Sequence, residues 1–91
     1  MSEEKILTLH PQGKTGRNIS RQNYDMLKVA ILSALKNKEL TQTELLDQLN
    51  QSLKGKFIGN IGWYGETVKL DLEARNIIKR TSSKPQKYFL E

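Results

Sequence analysis

Cysteine is absent from the 91 residues, and with it go disulfides, thiolate nucleophiles, zinc fingers and iron–sulfur clusters. That suits a reducing compartment. Histidine occurs once, as His10, with no nearby carboxylate cluster, so neither a metal site nor a histidine-based triad is expected, and no cofactor is implied. Long apolar runs are missing too. The longest, Val29-Ala30-Ile31-Leu32, is far too short to cross a bilayer, and the start Met1-Ser2-Glu3-Glu4-Lys5 is acidic where a signal peptide would be basic. A cytoplasmic protein is expected. The carboxylate pairs Asp71 with Glu73 and Glu66 with Glu73 read as the solvated edge of an amphipathic helix rather than as acid–base machinery. With no other candidate partners, no catalytic residue is assigned and a non-enzyme is expected.

What the chain does have is a modest basic excess. Fifteen Lys and Arg against ten Asp and Glu give a net charge of +5, and the isoelectric point is ≈ 9.6, which permits a polyanionic partner without requiring one. Placement is more informative than the total. From His10 to Asn23 the chain carries Lys14, Arg17 and Arg21 and no acid; from Asn76 to Leu90 it carries Lys79, Arg80, Lys84 and Lys87, again with no acid. A length of 91 residues with 36% hydrophobic side chains fits one small domain, in which nearly every large apolar residue is needed for the core.

Along the chain, Lys5 to Leu9 reads as a short strand. A turn-rich connector, His10-Pro11-Gln12-Gly13-Lys14-Thr15-Gly16, follows it. Ser20 is a suitable cap for a first helix from Arg21 to Lys36, where Tyr24, Met26, Leu27, Ala30, Ile31, Ala34 and Leu35 recur at helical spacing. Thr41 and Glu44 form a capping box for a second helix, with Leu40 and Leu45 placed as a hydrophobic staple. It stops near Gly55, which can take the left-handed conformation a helix end uses. Asn60 caps a third helix, Ile61 to about Arg75, with two apolar faces: Ile61, Tyr64, Val68 and Leu72 on one, and Trp63, Leu70 and Ala74 with Thr67 on the other. Such a helix is expected to be wedged between layers, with Trp63 buried under the C-terminal segment against Tyr88 or Phe89. Asn76 tolerates positive φ and marks a stop. The runs Ile77 to Thr81 and Gln86 to Leu90 then form an antiparallel hairpin with Lys84 at its exposed turn.

Three helices closed by a basic-tipped hairpin resemble a winged-helix domain, the helix-turn-helix variant with a wing. The expected fold class is α+β: an N-terminal strand and basic arm over 1–19, a three-helix core over 20–76 and a wing over 77–91. The stretch Gly62 to Ile78, with His10 to Lys14 and Asn18 to Arg21, is also similar to a family of small, functionally uncharacterised bacterial proteins. The winged-helix resemblance implies that the third helix enters the major groove of duplex DNA and that the wing meets the backbone. On that basis Lys14, Arg17 and Arg21 from the arm, Arg80, Lys84 and Lys87 from the wing, and Lys69 from the third helix are the expected nucleic-acid contacts.

Two features depart from that pattern. The interval from Leu53 to Ile61 is longer than a helix-turn-helix turn, and the arc of the third helix between its apolar faces, Glu66, Lys69 and Glu73, is net negative where phosphates repel carboxylates.

Other readings stay open at this level. A winged-helix module can serve protein contacts. The glycines of Ile58-Gly59-Asn60-Ile61-Gly62 are spaced like the loop by which KH domains clamp single-stranded RNA, although a glycine turn serving helix packing accounts for them as well. Gly13-Lys14-Thr15 ends like a phosphate-binding loop but lacks the earlier glycine and the immediate helix. A homodimer would suit half-site reading, with the N-terminal strand available to pair across subunits.

Overall fold

The structure, a computed structural model, describes residues 4–10, 12–13, 16–57 and 59–90. Its elements run β1 (Lys5–Leu7), β2 (Asn18–Ser20), α1 (Arg21–Ala34), β3 (Leu40–Thr41), α2 (Gln42–Leu53), α3 (Ile61–Ala74), β4 (Ile78–Arg80) and β5 (Lys87–Leu90). Three helices and two small antiparallel sheets make an α+β domain. No helix among the described residues is long and apolar enough to cross a membrane.

Each helix begins where a side chain satisfies its free amides. Ser20 Oγ accepts from the Asn23 N–H at 3.3 Å, and Asn60 Oδ1 from the Trp63 N–H at 2.9 Å. At α2 the box is reciprocal: Thr41 Oγ1 accepts from the Glu44 N–H at 3.2 Å, and Glu44 Oε1 accepts from the Thr41 N–H at 2.9 Å. Hydrogen bonding to the carboxyl from the Thr41 backbone N–H, and then from the Thr41 side chain, holds Glu44 below its ordinary pKa. α1 ends at Ala34, short of the expected Lys36, and the chain reverses through Asn37 at φ 60°. Asn76, at φ 62°, ends α3 as its tolerance of that region suggested.

The core gathers Leu27 and Ile31 from α1 and Leu35 just after it, Leu45, Leu49 and Leu53 from α2, Val68 and Leu72 from α3, and Ile78 and Tyr88 from the sheet. Gly65 lies where α3 meets α2, and a Cβ there would come within 2.9 Å of Leu49 Cδ1. The glycine costs α3 about 1 kcal/mol of intrinsic helicity relative to alanine, but it allows that approach.

The larger sheet has the order β3-β5-β4, so the central strand β5 pairs with both neighbours: Tyr88 is opposite Leu40 on one side and Arg80 on the other. The hairpin is antiparallel as expected, and Lys84 is exposed in its connection. The strand Leu40–Thr41 had no sequence signal of its own.

Asn18 and Ile19, expected to be part of a basic arm, form a strand with Ser20 instead. It pairs with β1 in the register Ile6 to Ile19, so one edge of the N-terminal strand is occupied within the chain. The ladder continues through Thr8 N–H to Arg17 O at 2.8 Å. Gly16 makes this closure possible, because a Cβ at that position would lie 1.7 Å from the Thr8 carbonyl oxygen.

Candidate nucleic-acid interface

The geometry of α3 follows from 100° of rotation per residue. Gly65, Val68 and Leu72 face the core. Lys69, Glu73 and Glu66 follow on the flank toward the wing, Asp71 lies on the flank toward the N-terminal hairpin, and Trp63, Leu70 and Ala74 point away from the core.

On the wing flank, Lys69 is only 3% exposed. Its ammonium donates to Gln42 Oε1 at 2.7 Å and to the Tyr88 hydroxyl at 3.1 Å, pairs with Glu66 Oε2 at 3.0 Å, and lies 4.3 Å from the Tyr88 ring centroid. Lys69, an expected DNA contact, is therefore buried rather than exposed. It is an internal cation that joins α2, α3 and β5, because the sheet closes over that side of α3 and the lysine stem is long enough to reach polar partners beneath it. Arg80 is committed as well, through a bidentate pair with Glu73 whose closest approach is 2.7 Å. Burial works against the charge on Arg80, but the hydrogen bonds and attraction of Glu73 outweigh it and raise its pKa.

The opposite flank is organised by Asp71. Read from the sequence as part of a solvated edge, it is 0% exposed. Its carboxylate accepts from the Leu9 N–H at 2.8 Å, from Arg75 Nε at 2.9 Å and from the Tyr24 hydroxyl. Burial first, and then this hydrogen bond, push the Tyr24 hydroxyl up to about 12. The hydrogen bond to Asp71 also raises the pKa of Arg75. Asp71 thus ties the N-terminal segment to α1 and α3. A sequence signal for it existed: Arg75 is four residues on, at ion-pair spacing, and Tyr24 on the apolar stripe of α1 needs a hydroxyl partner when buried.

All three carboxylates of α3 are consequently paired, Glu66 with Lys69, Asp71 with Arg75 and Glu73 with Arg80. The net negative arc expected from the sequence is compensated by its neighbours.

The outward strip is bordered by the N-terminal hairpin. Trp63, Glu66, Thr67 and Leu70 face Leu9, His10 and Arg17 across a cleft of about 320 Å³. Trp63 is 44% exposed and does not pack under the wing, which corrects the expectation of a buried ring. It stands edge-to-face on Tyr64 at 4.9 Å, and Tyr64 in turn on Phe57 at 5.2 Å. Gly59 fits beside these rings, where a Cβ would meet Tyr64 at 3.0 Å and Phe57 at 3.3 Å; the glycine serves packing at that turn.

Among the remaining expected contacts, Arg17 and Lys84 are exposed and make no ion pair with the described residues. Lys87 is half-buried on β5 and within the electrostatic reach of Glu44. Arg21 is exposed but pairs with Glu4 at 3.1 Å. Lys14 lies outside the described residues. The structure thus brings Arg17 to the outward strip of α3 and leaves Lys84 exposed between β4 and β5, while Lys69 is buried and Arg80, itself exposed, is paired with Glu73.

Fold and site define a small α+β domain whose third helix turns Trp63 and Leu70 toward a cleft that Arg17 also lines, with Lys84 exposed in the connection between β4 and β5. The chain belongs to a family of unknown function (DUF6958), whose model matches residues 5–88. No curated protein and no solved structure matches it.

Proposed function

We propose that this chain is a winged-helix protein that binds duplex DNA, a regulator or accessory factor with a binding rather than a catalytic role. Support for the winged helix comes from the order of elements. A strand after α1 returns to the sheet beside the last strand, in the order β3-β5-β4, and the hairpin follows α3 directly. The observation that carries the DNA reading is the outward strip of α3 flanked by Arg17 on one side and the wing on the other, with every α3 carboxylate already neutralised by an ion pair. Phosphates meeting that face encounter free cations at its borders and no unpaired acid on the helix.

The test is an anisotropy titration against random-sequence duplex over a range of salt concentrations. Arg17→Gln and Lys84→Gln should each flatten the salt slope by about one unit and weaken binding to all sequences alike. Lys36→Gln, at the end of α1, should leave the slope unchanged. Absence of salt-sensitive binding by the parent protein would overturn the reading. It would favour a protein-contact module instead, which the exposed Trp63, Leu7 and Leu9 support.

A further inference from the structure

We infer that the cleft between the N-terminal hairpin and α3 receives a single unstacked nucleobase and its phosphate, so that the protein prefers DNA carrying an unpaired base over a perfect duplex. The inference rests on the nucleic-acid reading above and names what its central feature takes.

The cleft supplies complementary chemistry for such a group. Trp63 borders it with 44% of its surface open, its ring held in place by the edge-to-face contact with Tyr64. Exposed aromatic rings are the platforms on which unpaired bases stack. Leu70 continues the apolar wall. Arg17 brings a guanidinium with no ion-pair partner among the described residues, suited to the phosphate of the same nucleotide. His10 Nδ1 accepts the Gln12 N–H at 3.1 Å, which leaves Nε2–H as a donor from the same wall. Glu66 adds an acceptor: Lys69 and Gln42 both bond its Oε2, and Oε1 has no partner among the described residues. An acceptor fixed in this way favours bases with an exocyclic amino group, so cytosine or adenine should be taken over thymine. A base inside a stacked duplex cannot reach a cleft, whereas an unpaired one can at small unstacking cost.

Trp63 is the sole tryptophan, so its emission reports the cleft directly. The experiment titrates the full chain with three duplexes of equal length: fully paired, with one unpaired cytosine, and with an abasic residue at the unpaired position. Anisotropy and indole fluorescence are read together. The expected result is roughly tenfold tighter binding to the unpaired cytosine than to the paired duplex, quenching of Trp63 by that duplex alone, and loss of both effects with the abasic residue. Trp63→Leu should abolish the preference while keeping the salt slope, and an unpaired thymine should bind more weakly than cytosine. The quenching arm uses the unaltered protein, so the test does not depend on the folding of the variant. Equal salt-sensitive binding to all three duplexes without quenching would refute the base cleft and leave the duplex reading standing. Absence of salt-sensitive binding to any of them would refute both.

Discussion

Replacing Asp71 by asparagine keeps the side chain's size and removes its charge, and the consequence can be worked out from its three donors. The carboxylate accepts from the Leu9 N–H, Arg75 Nε and the Tyr24 hydroxyl at a site with 0% exposure. An amide offers a single acceptor atom and turns its NH₂ toward at least one group that is itself a donor. Breaking a buried pair costs about 3–5 kcal/mol, but the Arg75 side chain is 37% exposed and regains water, which discounts that share. A hydrogen bond lost from a charged acceptor adds about 1.5–3 kcal/mol. A net loss of roughly 3 kcal/mol follows, a large fraction of the ~5–14 kcal/mol typical for a domain of this length. It corresponds to a fall in melting temperature of about 15 °C. Urea denaturation followed by circular dichroism measures the loss, and a cycle with Tyr24→Phe should show a coupling above ~1 kcal/mol. A loss below about 1 kcal/mol, with Tyr24→Phe additive, would refute Asp71 as the junction between hairpin, α1 and α3.

Gly16→Ala should open the N-terminal hairpin, since its Cβ would lie 1.7 Å from the Thr8 carbonyl. Hydrogen exchange should then show lost protection at the Thr8 and Leu9 amides and a stability cost of about 2–3 kcal/mol. If Lys69 is internal, the charge-neutral pair Lys69→Met with Glu66→Gln should leave the DNA salt slope unchanged; a slope lower by about one unit would return Lys69 to the interface. Tyr24 has a folded pKa of about 12 against an ordinary 10.0, so its contribution, roughly 3 kcal/mol at most, is fully present below the unfolded value and is lost as pH rises from there through the folded value. Tyr24→Phe should flatten the loss of stability across that alkaline window, and identical pH profiles would contradict the assignment.

Features set by neighbouring residues were legible in the sequence. Ser20, the Thr41–Glu44 box and Asn60 announce helix starts because a cap and its amide are three residues apart, and Asn76 announces a stop because few side chains tolerate its φ. The hairpin was readable from two short apolar runs around a turn. The pairing of Lys5–Leu7 with Asn18–Ser20 was not, since strands this short carry little pattern and their register depends on Gly16 passing under Thr8.

Lys69, Asp71 and Trp63 were missed for one shared reason. Helical periodicity fixes the angle at which a side chain leaves α3 but not which layer covers that angle. The C-terminal sheet covers the lysine and the N-terminal segment reaches the aspartate, while the apolar strip with the tryptophan is left open beside the cleft. Two charged residues are therefore buried, each with its hydrogen bonds satisfied, and the large aromatic ring is half-exposed.

The most direct test of the binding face is an amide and side-chain shift map of labelled protein titrated with duplex DNA at low salt. Perturbations should be confined to Arg17, Trp63 with its indole N–H, Thr67 and the connection around Lys84, fading as salt is raised. Shifts centred instead on the groove of Val29, Ser33 and Ser52 between α1 and α2, or no shifts at any salt concentration, would contradict the proposed face.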